Sequence, residues 1–286
     1  MMLCGRVVAA HGRLYVVELP DGQRLPCFPR GKKSEVACGD WVNIKQTAAD
    51  QGVIESIQTR RSLLYRSNDF RQKLIAANVD QIVIVVATEP AFSTDLVTRA
   101  LIAAEEQEIA SLIVLNKSDL AERLPAARAL LAAFARIDYR ILELSAKQHA
   151  EALRPHLTGR TSLLVGQSGM GKSTLVNALI PDAGAATREI SAALDSGKHT
   201  TTHACLYHID TDSHLIDSPG LQEFGLAHLD RTTLEQAFRE FRPYLGQCRF
   251  RNCHHDREPD CAVRAALASG AIDVGRFACF QRIVAT

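Results

Sequence analysis

A chain of 286 residues that is 47% hydrophobic and 23% charged, with a formal net charge of +1, has ordinary globular composition. That argues against disorder and leaves length for two to three small domains. The longest apolar runs, such as DQIVIVVAT (80–88) and SLIVLN (111–116), are far too short to cross a bilayer. MMLCGRVV has no charged leader ahead of a long apolar core, so a cytoplasmic protein is expected.

The small net charge hides an uneven spread. Residues 1–75 and 239–286 carry more Lys and Arg than Asp and Glu, and residues 76–238 carry the reverse. Basic flanks around an acidic middle fit either a solvated surface or contact with a polyanion. Eight cysteines in such a chain argue for core or metal roles rather than a disulfide framework. Cys4, Cys27, Cys38, Cys205 and Cys279 stand among apolar neighbours and are expected as small buried hydrophobes. Only Cys248, Cys253 and Cys261 cluster.

From 3 to 60, short runs rich in Val, Ile and Leu (GRVVAA, RLYVVEL, QRLPCF, DWVNIK, GVIESIQ) alternate with turn residues. Five strands in so short a span predict a small OB-type barrel, and an SH3-like barrel fits the same pattern. Residues 61–78 read as a linker made basic by Arg60, Arg61, Arg66, Arg71 and Lys73. Strands and helices then alternate: strand 80–87, helix 94–109, strand 111–116, helix 124–135, strand 140–144, strand 161–165 and helix 172–180. Continuous apolar strands between amphipathic helices predict a parallel α/β sheet covered on both faces. Past residue 225 helices are expected at 232–242, where Thr232 and Glu235 would form a capping box, at 260–269 ended by Gly270, and at 273–284.

GQSGMGKST (166–174) follows the strand TSLLV and opens the helix TLVNALI, the context a phosphate-binding loop requires. Gly166, Gln167, Ser168, Gly169, Met170 and Gly171 would turn backbone N–H groups onto phosphates. Lys172 would reach the β and γ groups, Ser173 would bind Mg²⁺, and Thr174 closes the motif. The base is chosen by NKSD (116–119): Asp119 would accept both guanine N1–H and N2–H, Asn116 would read O6 and N7, and Lys117 would pack on the nucleoside, with Ser118 between them. Ser145, Ala146 and Lys147, after the next strand, supply the companion loop. Asp217 in HLIDSPG (214–220) would hold Mg²⁺ through water, and the Gly220 N–H would meet the γ-phosphate. A threonine from Thr200 to Thr202, with Thr201 central, would complete the Mg²⁺ shell. Leu221 stands where many signalling GTPases place a water-orienting glutamine, so His199 is the candidate catalytic group, with His203 nearby.

NKSD precedes the phosphate loop, whereas ordinary GTPases carry it well after. A parallel sheet puts its loops on one edge however the strands are joined, so the reversal is expected to leave one site. The usual termini are fused between about 147 and 161, and the loop bearing Asp217 and Gly220 becomes the tether of the C-terminal helices. CRFRNCHHDREPDC contains Cys248, Cys253, His255 and Cys261 as C-x4-C-x-H-x5-C, which suits a closed tetrahedral Zn²⁺ site, with His254 an alternative ligand.

The succession NKSD, SAK, GQSGMGKST, GKHTTT, DSPG and C-x4-C-x-H-x5-C resembles the RsgA (YjeQ) family of circularly permuted bacterial GTPases over nearly the whole chain, and LYRSNDFRQKLIAANVDQ is similar to that family's linker. The resemblance implies a P-loop GTPase domain with circularly permuted motif order, preceded by a small OB-type β-barrel and followed by a helical zinc-binding domain. The expected division is 1–62, 63–226 and 227–286. It also implies a monomer that binds the small ribosomal subunit through rRNA late in its maturation and hydrolyses GTP with Mg²⁺. Two other readings remain at this point: a P-loop enzyme passing phosphate to a small molecule, and an RNA-binding adaptor that holds GTP without turnover.

Overall fold

The computed structural model describes residues 2–31, 35–48, 50–68, 71–181, 183, 204–218 and 224–285. His199, Thr201 and Gly220, with the neighbouring Thr200, Thr202, His203 and Leu221, lie outside the described residues.

The first five strands are β1 (Met2–His11), β2 (Leu14–Glu18), β3 (Arg24–Pro29), β4 (Trp41–Ala48) and β5 (Gln51–Ile57). They pair in the order β1-β2-β3-β5-β4, and β4 returns to β1 to close a barrel. The β3–β5 pair is parallel, which an all-antiparallel barrel lacks, so the OB-type arrangement is the one adopted. Alternation puts Val7, Val17, Leu25, Val42, Ile44 and Ile54 inside.

The stretch expected as a linker is instead an antiparallel hairpin, β6 (Leu63–Asn68) with β7 (Arg71–Ala77). Leu64, Ile75, Ala76 and Ala77 are buried in it, and that apolar burial outweighs the basic residues that suggested a loop. Then come β8 (Gln81–Ala87), α1 (Thr94–Glu106), β9 (Ala110–Asn116), α2 (Leu124–Ala135), β10 (Ile141–Glu143), α3 (Arg154–Leu157), β11 (Thr161–Val165), α4 (Lys172–Leu179), β12 (Ala204–His208) and β13 (His214–Asp217).

Strands β10-β9-β8-β11-β13 run parallel, so the loops after them open on one edge. The sheet is not wholly parallel: β12, which periodicity missed, lies antiparallel to β13. The turn between them forms because the Asp210 carboxylate accepts from the N–H of Asp212 and Ser213 at 2.9 and 2.8 Å. β12 also pairs with β1, Ala9 opposite Cys205 and Ala10 opposite Ala204, so barrel and sheet join into one 11-stranded sheet. An otherwise open edge strand is thereby covered within the molecule.

The C-terminal unit contains α5 (Arg231–Ala237), a 3-10 turn (Arg239–Tyr244), α6 (Ala262–Ala268) and α7 (Val274–Val284). The helix expected over 232–242 breaks at Phe238, whose ψ is 99°. At the break Phe238 and Phe241 stack at 5.2 Å, and both meet Phe280 edge-on. The Thr232 capping box does not form: Asp230 caps α5 by accepting from Thr233 N at 2.7 Å. Gly270 follows α6 with φ 78°, and Asp273 caps α7. Cys27, Cys38, Cys205 and Cys279 are buried as expected, whereas Cys4 is exposed and its Sγ accepts from Gln58 Nε2 at 3.0 Å.

Candidate nucleotide site and metal centre

The loop after β11 takes its shape from close approach. Gly171 has φ 91°, and a Cβ there would sit 2.3 Å from Asn116 Nδ2; a Cβ on Gly166, at φ 149°, would sit 2.2 Å from the Val85 carbonyl oxygen. No other residue fits either position. Lys172 Nζ donates to the carbonyls of Gly166 and Gln167 at 2.5 and 2.9 Å, which curls its side chain back over the loop. Ser168, Gly169, Ser173 and Thr174 are exposed on the open side, while Met170 is buried beneath.

Asn116 ties three loops together. Its Nδ2 donates to the Met170 carbonyl at 2.8 Å, and its Oδ1 accepts from Ala146 N at 2.8 Å. Residues separated by 54 positions in the chain are thus held by one buried amide. Thr88 Oγ1 donates to the Lys117 carbonyl, Ser118 N to the Leu144 carbonyl, and Lys117 Nζ to the Glu89 carbonyl at 2.7 Å. Asp119 is exposed, and its carboxyl is held below the usual range first by a hydrogen bond from Ser145, then by Lys147 and Lys117. An ionised carboxylate therefore faces outward beside the phosphate loop, able to accept two N–H groups from one purine edge.

Asp217, at the end of β13, is buried, and its Oδ1 has no hydrogen-bond partner among the described residues. Burial raises its pKa against the opposing pull of Lys172. An orphaned carboxylate oxygen beside a lysine, at the mouth of a phosphate loop, is a fit for a hard cation.

Around this site sequence reasoning missed Ser93 and Phe224, and it named Gln167 only for its backbone N–H. Gln167 Oε1 accepts from Ser93 N at 2.9 Å, and Ser93 is the N-cap of α1, so the phosphate loop is pinned to that helix. Phe224, the first described residue after 219–223, is buried in a cleft shared with Leu96, Val97 and Gln167. Ser93 before a helical pattern was a legible capping signal; its link to Gln167 exists only in space.

The metal ligands converge as the spacing predicts. One ligand atom from each of Cys248, Cys253, His255 and Cys261 lies within 4.8 Å of the others. A tetrahedron with zinc-length bonds has edges of about 3.8 Å between sulfurs and about 3.5 Å from sulfur to nitrogen. Cys248 Sγ to Cys261 Sγ is 3.8 Å, and His255 Nδ1 lies 3.6 Å from Cys248 Sγ and 3.3 Å from Cys261 Sγ. The donor set and its size therefore fit one tetrahedral ion. Backbone N–H groups of His255 and Arg264 point at the sulfurs of Cys253 and Cys261 at 3.4 Å, which favours thiolates. His254 is exposed and is not among the four.

A phosphate loop, a candidate base-reading loop and an orphaned carboxylate on one sheet edge, joined in permuted order between a barrel and a helical unit whose Cys/His cluster could hold a metal ion, define a circularly permuted P-loop GTPase. The family model described as "RsgA GTPase" matches residues 57–227. The chain is 58% identical to "Small ribosomal subunit biogenesis GTPase RsgA" of Burkholderia pseudomallei (strain K96243), over 98% of this chain and 91% of that protein. It is 51% identical to the protein of the same name from Nitrosospira multiformis, over 99% and 91%. Among solved structures it superposes on the crystal structure of YjeQ from Thermotoga maritima with a TM-score of 0.73 and 30% identity, covering 99% and 97% of the two chains. It superposes on YloQ, described as a circularly permuted GTPase, with a TM-score of 0.69 and 26% identity, covering 99% and 93%. The chain belongs to the RsgA GTPase family. No helix among the described residues is long and apolar enough to cross a membrane.

Proposed function

We propose that this protein hydrolyses GTP to GDP and phosphate on the small ribosomal subunit, assists that subunit's late maturation, and binds or leaves it according to nucleotide state. The observation that carries this reading is the Asn116 amide, which holds the base-reading and phosphate loops against one another at 2.8 Å on both sides. GTP would lie with its phosphates over Gly166, Gln167, Ser168, Gly169, Met170, Gly171, Lys172, Ser173 and Thr174. Its guanine would meet Asp119, flanked by Asn116, Lys117, Ser118, Ser145, Ala146 and Lys147.

Ser173, Asp217 and Thr201 would hold Mg²⁺, which when bound neutralises charge between the phosphates. Gly220 would donate its N–H to the γ-phosphate. His199 is the proposed general base, because Leu221 offers no carboxamide to orient water. Cys248, Cys253, His255 and Cys261 would hold one structural zinc ion, which leaves no open position for chemistry. The division into barrel (1–62), permuted GTPase (63–226) and zinc unit (227–286) assigns the basic flanks to rRNA contact, in a monomer working in the cytoplasm.

The test is GTP turnover with and without purified small subunits. Turnover should rise on adding subunits, and ATP should compete poorly. No stimulation at low salt overturns the ribosomal role, and equal use of ATP overturns the assignment of the base.

A further inference from the structure

The metal centre faces one carboxylate, Glu235, that the C-x4-C-x-H-x5-C pattern does not contain. His255 presents Nδ1 to the sulfurs of Cys248 and Cys261, and its other nitrogen, Nε2, faces Glu235 Oε1 at 3.5 Å. Both side chains are largely buried, at 4% and 14% exposure. Glu235 sits on α5, and with Asp230 capping that helix its carboxylate is released from any capping duty. The same oxygen is held by a second partner: Arg231 Nε donates to Oε1 at 2.8 Å, and Arg231 also donates to the His254 carbonyl beside the ligand. Phe241 packs edge-on to the His255 ring, with centroids 6.4 Å apart.

We propose that Glu235 is the positioning residue of the metal centre, holding the proton of His255 on Nε2 so that the Nδ1 lone pair is available to the ion. A neutral imidazole has one N–H, and which nitrogen carries it is set by the acceptor the ring faces. With the proton on Nδ1, an N–H would point into the thiolate cluster and no lone pair would be offered. A carboxylate opposite Nε2 favours the other tautomer, orients the ring and makes the ligating nitrogen more basic. The 3.5 Å separation is long for a hydrogen bond, and a ring shift of a fraction of an ångström closes it. Because α5 follows directly on residues 224–230, the same carboxylate links the metal to the segment leading from the nucleotide loops.

This inference rests on the reading of the four ligands as a zinc site, so the experiment begins with the zinc content of the wild-type full-length protein. Zinc retention is then measured by competition with a chromophoric chelator at fixed neutral pH, for wild type, Glu235→Ala, Glu235→Gln and Arg231→Ala. Glu235→Ala should weaken retention about 10- to 100-fold, the range for losing such a partner. Glu235→Gln keeps an oxygen acceptor and should recover most of that loss. Arg231→Ala removes the ion pair of α5 but leaves the carboxylate, and should lose far less. Retention in Glu235→Ala equal to wild type overturns the proposal, and so does a Glu235→Gln protein that loses as much zinc as Glu235→Ala. An Arg231→Ala protein that loses as much as Glu235→Ala overturns it too, since the carboxylate would then act only by supporting the helix. A wild type that neither contains nor takes up zinc overturns the metal reading itself, and this inference with it.

Discussion

The proposed choice of base rests on Asp119, whose chemistry can be inverted. Replacing its carboxylate by an amide puts an N–H where guanine also offers N–H, while xanthine offers a carbonyl there. Asp119→Asn should therefore lose GTP affinity by about 10²-fold or more, as expected for two charge-assisted hydrogen bonds, and gain affinity for the xanthosine nucleotide. Fluorescent-nucleotide titration checks this, and unchanged GTP affinity would remove Asp119 from the base site. Gly171→Ala should abolish binding of either nucleotide, because its Cβ would stand 2.3 Å from Asn116 Nδ2 at a φ of 91°. At this scale the sequence was highly legible. NKSD, GQSGMGKST and the cysteine spacing are dense local patterns, and each places its chemistry within a few residues of chain. Phe224 and the side-chain partners of Gln167 and Glu235 were not legible, because each acts on a residue in a different element.

At the scale of elements, α1 is the floor on which both nucleotide loop and zinc unit rest. Its N-cap Ser93 donates its N–H to Gln167, and polar side chains along it reach the C-terminal unit: Asp95 to Arg282, Thr98 to Arg276, and Glu105 to Arg239 and Arg242. Arg276 and Glu240 form a buried pair at 2.7 Å, with the guanidinium between the rings of Phe134 and Phe238 at 4.9 and 4.8 Å. Arg276→Ala strands Glu240 in an apolar setting and should destabilise the fold by about 3–5 kcal/mol, read as a lowered midpoint in denaturant unfolding. The tether expected to move the zinc unit therefore works against a docked interface, a restraint invisible in a linear motif order.

The join between barrel and sheet has its own signature. His208 Nε2 lies 2.6 Å from Glu18 Oε1, and His208 Nδ1 lies 2.9 Å from His214 Nδ1, so one proton sits between the two rings. Burial first, then Arg6 and His208, hold the His214 pKa down to about 4, against the opposite pull of Asp210 and Glu18. An unfolded histidine titrates near about 6.5, so between that value and the folded one the unfolded chain binds more protons. Stability should fall as pH drops through this window and level off below it. Thermal melts of wild type and His214→Leu across the same range check the sign: the variant should lose part of the slope, and an identical slope would show that His214 is not its source.

At the scale of the whole molecule, the basic flanks lie on either side of the nucleotide-bearing sheet, one joined to β12 and the other docked on α1. If both grip rRNA, stimulation of turnover by small subunits should weaken steeply as salt rises, because each phosphate contact releases counterions. Stimulation measured over a salt series checks this. A flat response would mean that the flanks contribute apolar rather than ionic contact.

The chain order alone determined the chemistry, the permutation and the α/β class, because phosphate loops, base-reading loops and thiolate clusters are built from contiguous residues with local backbone requirements. Helix and strand periods supplied most elements for the same reason. The OB-type closure, the hairpin at 63–77, the β12 strand and its pairing with the barrel, and the break at Phe238 were decided by tertiary structure. For the barrel closure and β12 the deciding partner lies far along the chain, a strand edge that had to be covered; at Phe238 it is the aromatic core, where the distant Phe280 meets both Phe238 and Phe241 edge-on.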